Sequence, residues 1–147
     1  VLLSACSNTG RVDLAAANSG AADALAHEEN VALGKVIYTN NCASCHGVNL
    51  EGEANWKQQN EDGSFRSPPH AADGHTWHHA DNVLIEAIEK GGARFEGMNI
   101  GGSSNMPAFA ETLTDEQISA VLEYIKSTWP EDIQAIQRQQ MEQTPSS

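Results

Sequence analysis

The chain has 147 residues, enough for one ordinary domain with tails. Twenty acidic against 8 basic side chains give a formal net charge of −12, which argues against nucleic acid and anionic membrane surfaces as partners; the acidity suits a basic docking patch on another protein, or serves solubility alone. Apolar residues make up 39% and aromatics only 5%, a thin supply for a self-sufficient core that a large apolar cofactor would supplement. The cysteines are three, Cys6, Cys42 and Cys45, an odd number that does not suit a disulfide framework.

No stretch reaches the roughly 18 apolar residues of a membrane-spanning helix. The chain opens Val1-Leu2-Leu3-Ser4-Ala5-Cys6, and Leu3 to Cys6 resembles a bacterial lipobox at the end of a secretory signal, residues 1–6. The resemblance implies acyl chains on Cys6 and membrane attachment through them. The alternative is a frayed terminus with an incidental Cys. Residues 7–27 are rich in Ala, Ser, Asn and Gly without an apolar stripe, and read as a flexible tether spanning roughly 25 Å as a coil. The domain itself is expected over 28–129. Its first helix is expected over about 28–40, with Val31, Leu33, Val36, Ile37 and Tyr38 forming a broad apolar face. After it come more than 30 residues dense in Gly, Pro, Asn and His, a length that needs something to organise it. A second helix is expected over about 81–90, capped by Asp81 and ended by Gly91-Gly92. A third starts at Thr114, with Gln117 in capping-box position, and runs to about Thr128. Pro130 suits the first turn of a short C-terminal helix, followed by a disordered tail, residues 130–147 together. The pattern is all-α, with no strand signal.

Cys42-Ala43-Ser44-Cys45-His46 is a C-x-x-C-H haem attachment pattern. Two thiols add to the two haem vinyl groups as thioethers. Two intervening residues let one turn of chain span both. The His follows directly, so its imidazole is delivered to the iron as an axial ligand. A bare C-x-x-C could also be a redox dithiol, which needs a βαβ setting absent here. It could be half a zinc site completed by His70, His75, His78 or His79. An electron-transfer haem needs a sixth ligand. Met106, in Asn105-Met106-Pro107-Ala108-Phe109, is the leading candidate, because Pro107 stiffens the strap that holds the sulfur. Met98, in a Gly-rich stretch, is the competitor; a His ligand or an open position is the remaining alternative.

Together these features resemble a monohaem member of the cytochrome c superfamily over about residues 30–129. The resemblance implies a small cytochrome c fold, three to four helices wrapped around one covalent haem c. It also implies that the first and last helices cross at a Gly and an aromatic pair, matched by Gly34 and Tyr38 and by Val121 and Tyr124. A proline whose carbonyl accepts a hydrogen bond from the proximal imidazole is implied too, and Pro68 or Pro69 resembles it. The loop 56–79 departs from the common pattern, with four histidines in ten residues: His70, His75, His78 and His79. Trp77 and one or two of these could bond the haem propionates, some could form a separate copper or zinc site, or the loop could dock a partner. Trp56 reads equally as packing or as a propionate donor.

The expected function is one-electron transfer rather than catalysis. The carrier would work outside the cytoplasm, in the periplasm or on the outer membrane face, lipid-anchored in a respiratory chain. Its partners would be membrane-associated redox proteins with a basic docking patch: a terminal oxidase, a dehydrogenase or a copper protein. The competing classes are a haem sensor or enzyme with a dissociable Met106, and a metal-handling protein using the histidine loop.

Overall fold

The computed structural model describes residues 14–143. Five α-helices, α1 (Leu14–Asn41), α2 (Ala43–His46), α3 (Asp81–Lys90), α4 (Asp115–Ser127) and α5 (Glu131–Gln143), carry the fold. Two 3₁₀ turns, Thr76–His78 and Gly91–Phe95, flank α3. Among the described residues there is no strand, only isolated bridges pairing Gln59 with Phe65 and Ser64 with Ser103. The architecture is all-α as expected, with α2 a single turn and four longer helices.

The helices form for legible reasons. Thr114 accepts from the Gln117 N–H while Gln117 Oε1 accepts from the Thr114 N–H, so the capping box opens α4 and settles two orphan donors. Ile118, Val121, Leu122 and Ile125 then recur at helical spacing, and all are buried. Gly91 closes α3. Its start differs from expectation: the cap position is Ala80, and Asp81 caps nothing. The Asp81 carboxylate instead takes Lys126 Nζ at 2.8 Å and Gln137 Nε2 at 2.7 Å, because α4 and α5 bring stronger donors than the helix end.

Helix α1 begins well before the expected residue 28. Residues 14–27, read as part of a flexible tether, are helical, and from 20 to 29 they are exposed. Ala-rich sequence propagates a helix without an apolar stripe once the packed C-terminal half supplies its nucleus. The lipobox and Cys6 lie outside the described residues. No described helix is long and apolar enough to cross a membrane.

The core sits where α1 crosses α4. Gly34 permits the crossing: a Cβ there would run into the Ala120 carbonyl and the Tyr124 Cβ. Tyr38, 1% exposed, fills the flank, its ring 5.5 Å from that of Tyr124. Val121, Ile125, Leu50, Ala43 and Trp129 complete the cluster. The short C-terminal helix expected from Pro130 is α5. Helix α5 folds back over the Thr76–His78 turn and buries Gln137, whose amide also donates to the His79 carbonyl at 3.3 Å.

Candidate functional site

The C-x-x-C-H segment is placed by the core helix beside it. The Cys42 N–H continues the α1 ladder to the Tyr38 carbonyl, and Cys45 and His46 N–H groups both return to the Cys42 carbonyl. The resulting turn, α2, is held from inside by the Tyr38 hydroxyl, which donates to the Gly47 carbonyl at 2.8 Å. Burial raises the Tyr38 phenol above its ordinary value, with the nearby Cys42 thiol adding to the shift, so it stays a donor. Cys42 is half-buried and Cys45 exposed, and neither is in a disulfide. Burial, then the neighbouring Cys45, pushes the Cys42 thiol up to about 11.

His46 is 8% exposed, and its Nδ1 lies 2.8 Å from the Pro68 carbonyl oxygen. A carbonyl only accepts, so Nδ1 carries the proton and Nε2 is left with a free lone pair. Burial lowers the imidazole pKa, opposed in part by that bond, and keeps the ring neutral. A neutral imidazole with Nδ1–H on a backbone acceptor is the form that binds a metal through Nε2. Of the two prolines considered, Pro68 is therefore the one that meets the imidazole. The Pro69 carbonyl takes the His75 N–H at 3.2 Å instead.

Met106 and Met98 are separated by their settings. The Met106 carbonyl accepts the Gly92 N–H at 2.8 Å, and Phe109 N–H returns to the Ile88 carbonyl, so the strap around Met106 is tied at both ends to the close of α3. Gly91 makes this seat possible: it has φ +53°, and a Cβ on it would strike the Met106 and Pro107 carbonyls. Met106 is half-buried there. Met98 follows a left-handed Gly97 and is 62% exposed.

The histidines of the loop do not act as one cluster. His70 is packed inside, its ring stacked on His46 with centroids 4.1 Å apart and planes 24° from parallel. Its Nδ1 is 2.6 Å from Thr76 Oγ1. Burial, and secondarily His46, push the His70 pKa down to about 3. His75 and His79 face each other with Nε2 atoms 3.1 Å apart, which requires one ring to donate to the other. His78 stacks on the Trp77 ring. The Trp77 indole N–H donates to the Ala72 carbonyl at 2.9 Å. The half-buried Trp56 ring lies 5.6 Å from His75. Among the described residues no group of three or more His, Cys, Asp or Glu is gathered for a metal ion.

The loop is organised more by its own hydrogen bonds than expected. Asp62 takes both the N–H and the hydroxyl of buried Ser64, Arg66 Nη1 donates to the Ala54 carbonyl, and residues 63–65 pair with Ser103. Sequence reasoning missed Trp129, whose indole N–H donates to the His70 carbonyl at 2.7 Å and ties the end of α4 to the site loop. The signal was present as a lone Trp beside Pro130, too short a pattern to point anywhere.

The family model for cytochrome c matches residues 31–129. The chain belongs to the cytochrome c family. The matched span begins and ends within a residue of the resemblance read from the sequence, and it contains the attachment motif, the histidine loop and Met106. No curated protein and no solved structure matched the chain. The cytochrome's cofactor is a covalently bound haem c, and its general function is haem-based electron transfer. The residues present fit that group: two free thiols, a neutral imidazole with an unprotonated Nε2, and a thioether residue on a braced backbone strap. Domains of this family are typically extracytoplasmic.

Proposed function

We propose that the chain is a single-electron carrier in which Cys42 and Cys45 hold the haem by thioether bonds and His46 Nε2 and Met106 Sδ are the axial ligands. The observation that carries this reading is the His46 Nδ1–H bond to the Pro68 carbonyl. It sets the tautomer, aims Nε2, and makes the ring a stronger donor. Bound haem c supplies the one-electron ferric–ferrous couple. The protein's work is to keep the coordination the same in both oxidation states. The ring of buried His46 is held by Pro68 and the backbone of Met106 by Gly92, which supports ligands that stay in place. Small reorganisation favours transfer over ligand binding, and supports a carrier rather than an enzyme or sensor.

The second half of the proposal concerns setting. The exposure of Cys45 at the protein surface supports electron exit near the thioether edge. A net charge of −12 favours a basic partner, such as a terminal oxidase, dehydrogenase or copper protein, and makes association weaken with salt. A lipid on Cys6 would confine the carrier to the outer face of the membrane, where such partners sit.

The test is a set of absorbance spectra on protein made with a cytochrome c maturation system, oxidised and reduced, with a pyridine haemochrome assay. One c-type haemochrome per chain, sharp low-spin bands, and the weak ferric charge-transfer band of Met ligation are expected. A high-spin resting spectrum that responds to carbon monoxide or peroxide would instead establish the sensor or enzyme reading.

A further inference from the structure

His70 is constrained more completely than a space-filling side chain requires. Its N–H donates to the Leu50 carbonyl at 2.8 Å, and its carbonyl receives the Trp129 indole N–H at 2.7 Å. Its Nδ1 is bonded to Thr76 Oγ1, and Thr76 is buried. Its ring edge meets the Tyr38 ring, centroids 6.1 Å apart and planes at 75°. Backbone, ring position and ring plane are thus each fixed from a different element: the loop after α2, the end of α4, the Thr76–His78 turn and α1.

The face of this fixed ring lies on the face of His46. The Pro68 bond anchors one atom of the His46 ring but leaves its tilt about that anchor open. A second flat ring, nearly parallel at van der Waals distance, closes that freedom. We propose that His70 is a positioning residue for the proximal haem ligand, setting the plane of the His46 imidazole through a ring stack that Thr76 and Trp129 hold in place. This rests on the reading that His46 binds the iron. An axial imidazole's plane determines how its π orbitals meet the iron d orbitals, so it governs the anisotropy of the ferric low-spin state. An aliphatic residue could fill the same volume without selecting a plane. A flat ring held at its edge by a hydrogen bond does both.

The experiment compares wild type, His70→Leu, His70→Phe and Thr76→Val as haem-loaded proteins. The readouts are ferric low-spin g values, haem methyl shifts in paramagnetic NMR, the Met charge-transfer band and the urea midpoint. His70→Leu should shift the g values and redistribute the methyl shifts while the Met band persists. His70→Phe, which keeps a flat ring but loses the Thr76 bond, should shift the pattern by less than His70→Leu. Thr76→Val, which frees the ring edge, should shift it in the same direction as Leu by a smaller amount. A lowered urea midpoint with unchanged g values and methyl shifts in His70→Leu would reduce His70 to packing and overturn the proposal. If His70→Leu fails to load haem, Thr76→Val decides alone: an unchanged pattern overturns the proposal, a shifted one upholds it. Failure of the underlying reading looks different, because wild type itself would then lack low-spin His coordination, and the proposal would fall with it.

Discussion

Gly34 lies under the Ala120 carbonyl at the crossing of α1 and α4, so close that no side chain fits between the two backbones. The crossing holds the core, and the core holds α2, since Tyr38 sits one turn beyond Gly34 and ties Gly47. Gly34→Ala should therefore push the helices apart. The obstacle is backbone, which cannot rotate away, so a loss of about 3 kcal/mol or more is expected, at the upper end of ordinary overpacking. Urea unfolding of the haem-loaded protein measures it. A change under about 0.5 kcal/mol, typical of an exposed surface site, would show that the crossing is looser than the geometry indicates.

The two candidate methionines give a clean comparison. Met106→Ala should abolish the weak ferric charge-transfer band and open the iron to added ligands, because the braced strap has no substitute sulfur in place. Met98→Ala should leave the band unchanged, since Met98 is 62% exposed. The reverse pattern would move the sixth ligand to Met98.

Asp81 joins three helices, with Lys126 from α4 and Gln137 from α5 both on its carboxylate. Asp81→Ala leaves the buried Gln137 amide only its 3.3 Å bond to the His79 carbonyl and leaves the Lys126 ammonium without its partner. A cost of about 1–3 kcal/mol is expected, the range for unsatisfied buried polar groups. Gln137→Leu removes the amide together with its need, so Asp81→Ala made on that background should cost less. A double-mutant cycle should give a coupling of about 0.5–3 kcal/mol, and additive effects would show that α5 docks independently of Asp81.

The facing pair His75 and His79 predicts an acid limit. Both pKa values are lowered, first by burial; His78 and Lys57 add to it at His75, and His75, Arg94 and His78 add to it at His79. Below the ordinary imidazole value of 6.5 the unfolded chain takes up protons that the folded chain refuses. Stability should therefore fall as pH drops through about 6.5 and continue to fall until the folded rings protonate. Replacing both with Gln should reduce the fall of the urea midpoint between about pH 6.5 and 5 without abolishing it, because buried His70 also refuses a proton in that range. An unaltered pH slope in the double variant would locate the acid sensitivity elsewhere.

Much of this molecule could be read directly from residue order. Helix α4 announces itself through its capping box and apolar spacing, α3 through its closing Gly91, and the C-x-x-C-H motif is local chemistry, complete within five residues. Gly34, Tyr38, Val121 and Tyr124 were legible as a crossing because each helix carries its own half of the pattern. Other features were hidden for physical reasons. Helix α1 extends back to Leu14 because a nucleus made by packing propagates into a segment with no stripe of its own. The docking of α5 was hidden because its buried Gln137 meets the Asp81 carboxylate and the His79 carbonyl, partners more than fifty residues away.

Residue order by itself determined the local chemistry: which thiols and which imidazole stand together, the capping box that opens α4 and the glycine that closes α3. Those are settled by bonds and turns spanning a few residues. Only the tertiary structure decided which proline carbonyl meets His46, that Trp77 spends its N–H on Ala72, and that His70 lies face to face with the ligand ring. Each depends on a loop returning over twenty or more residues, or on a side chain having one donor and several possible acceptors. Spacing cannot decide such choices, because they are made by which partner the packed fold holds within 3 Å of a group with one donor to give.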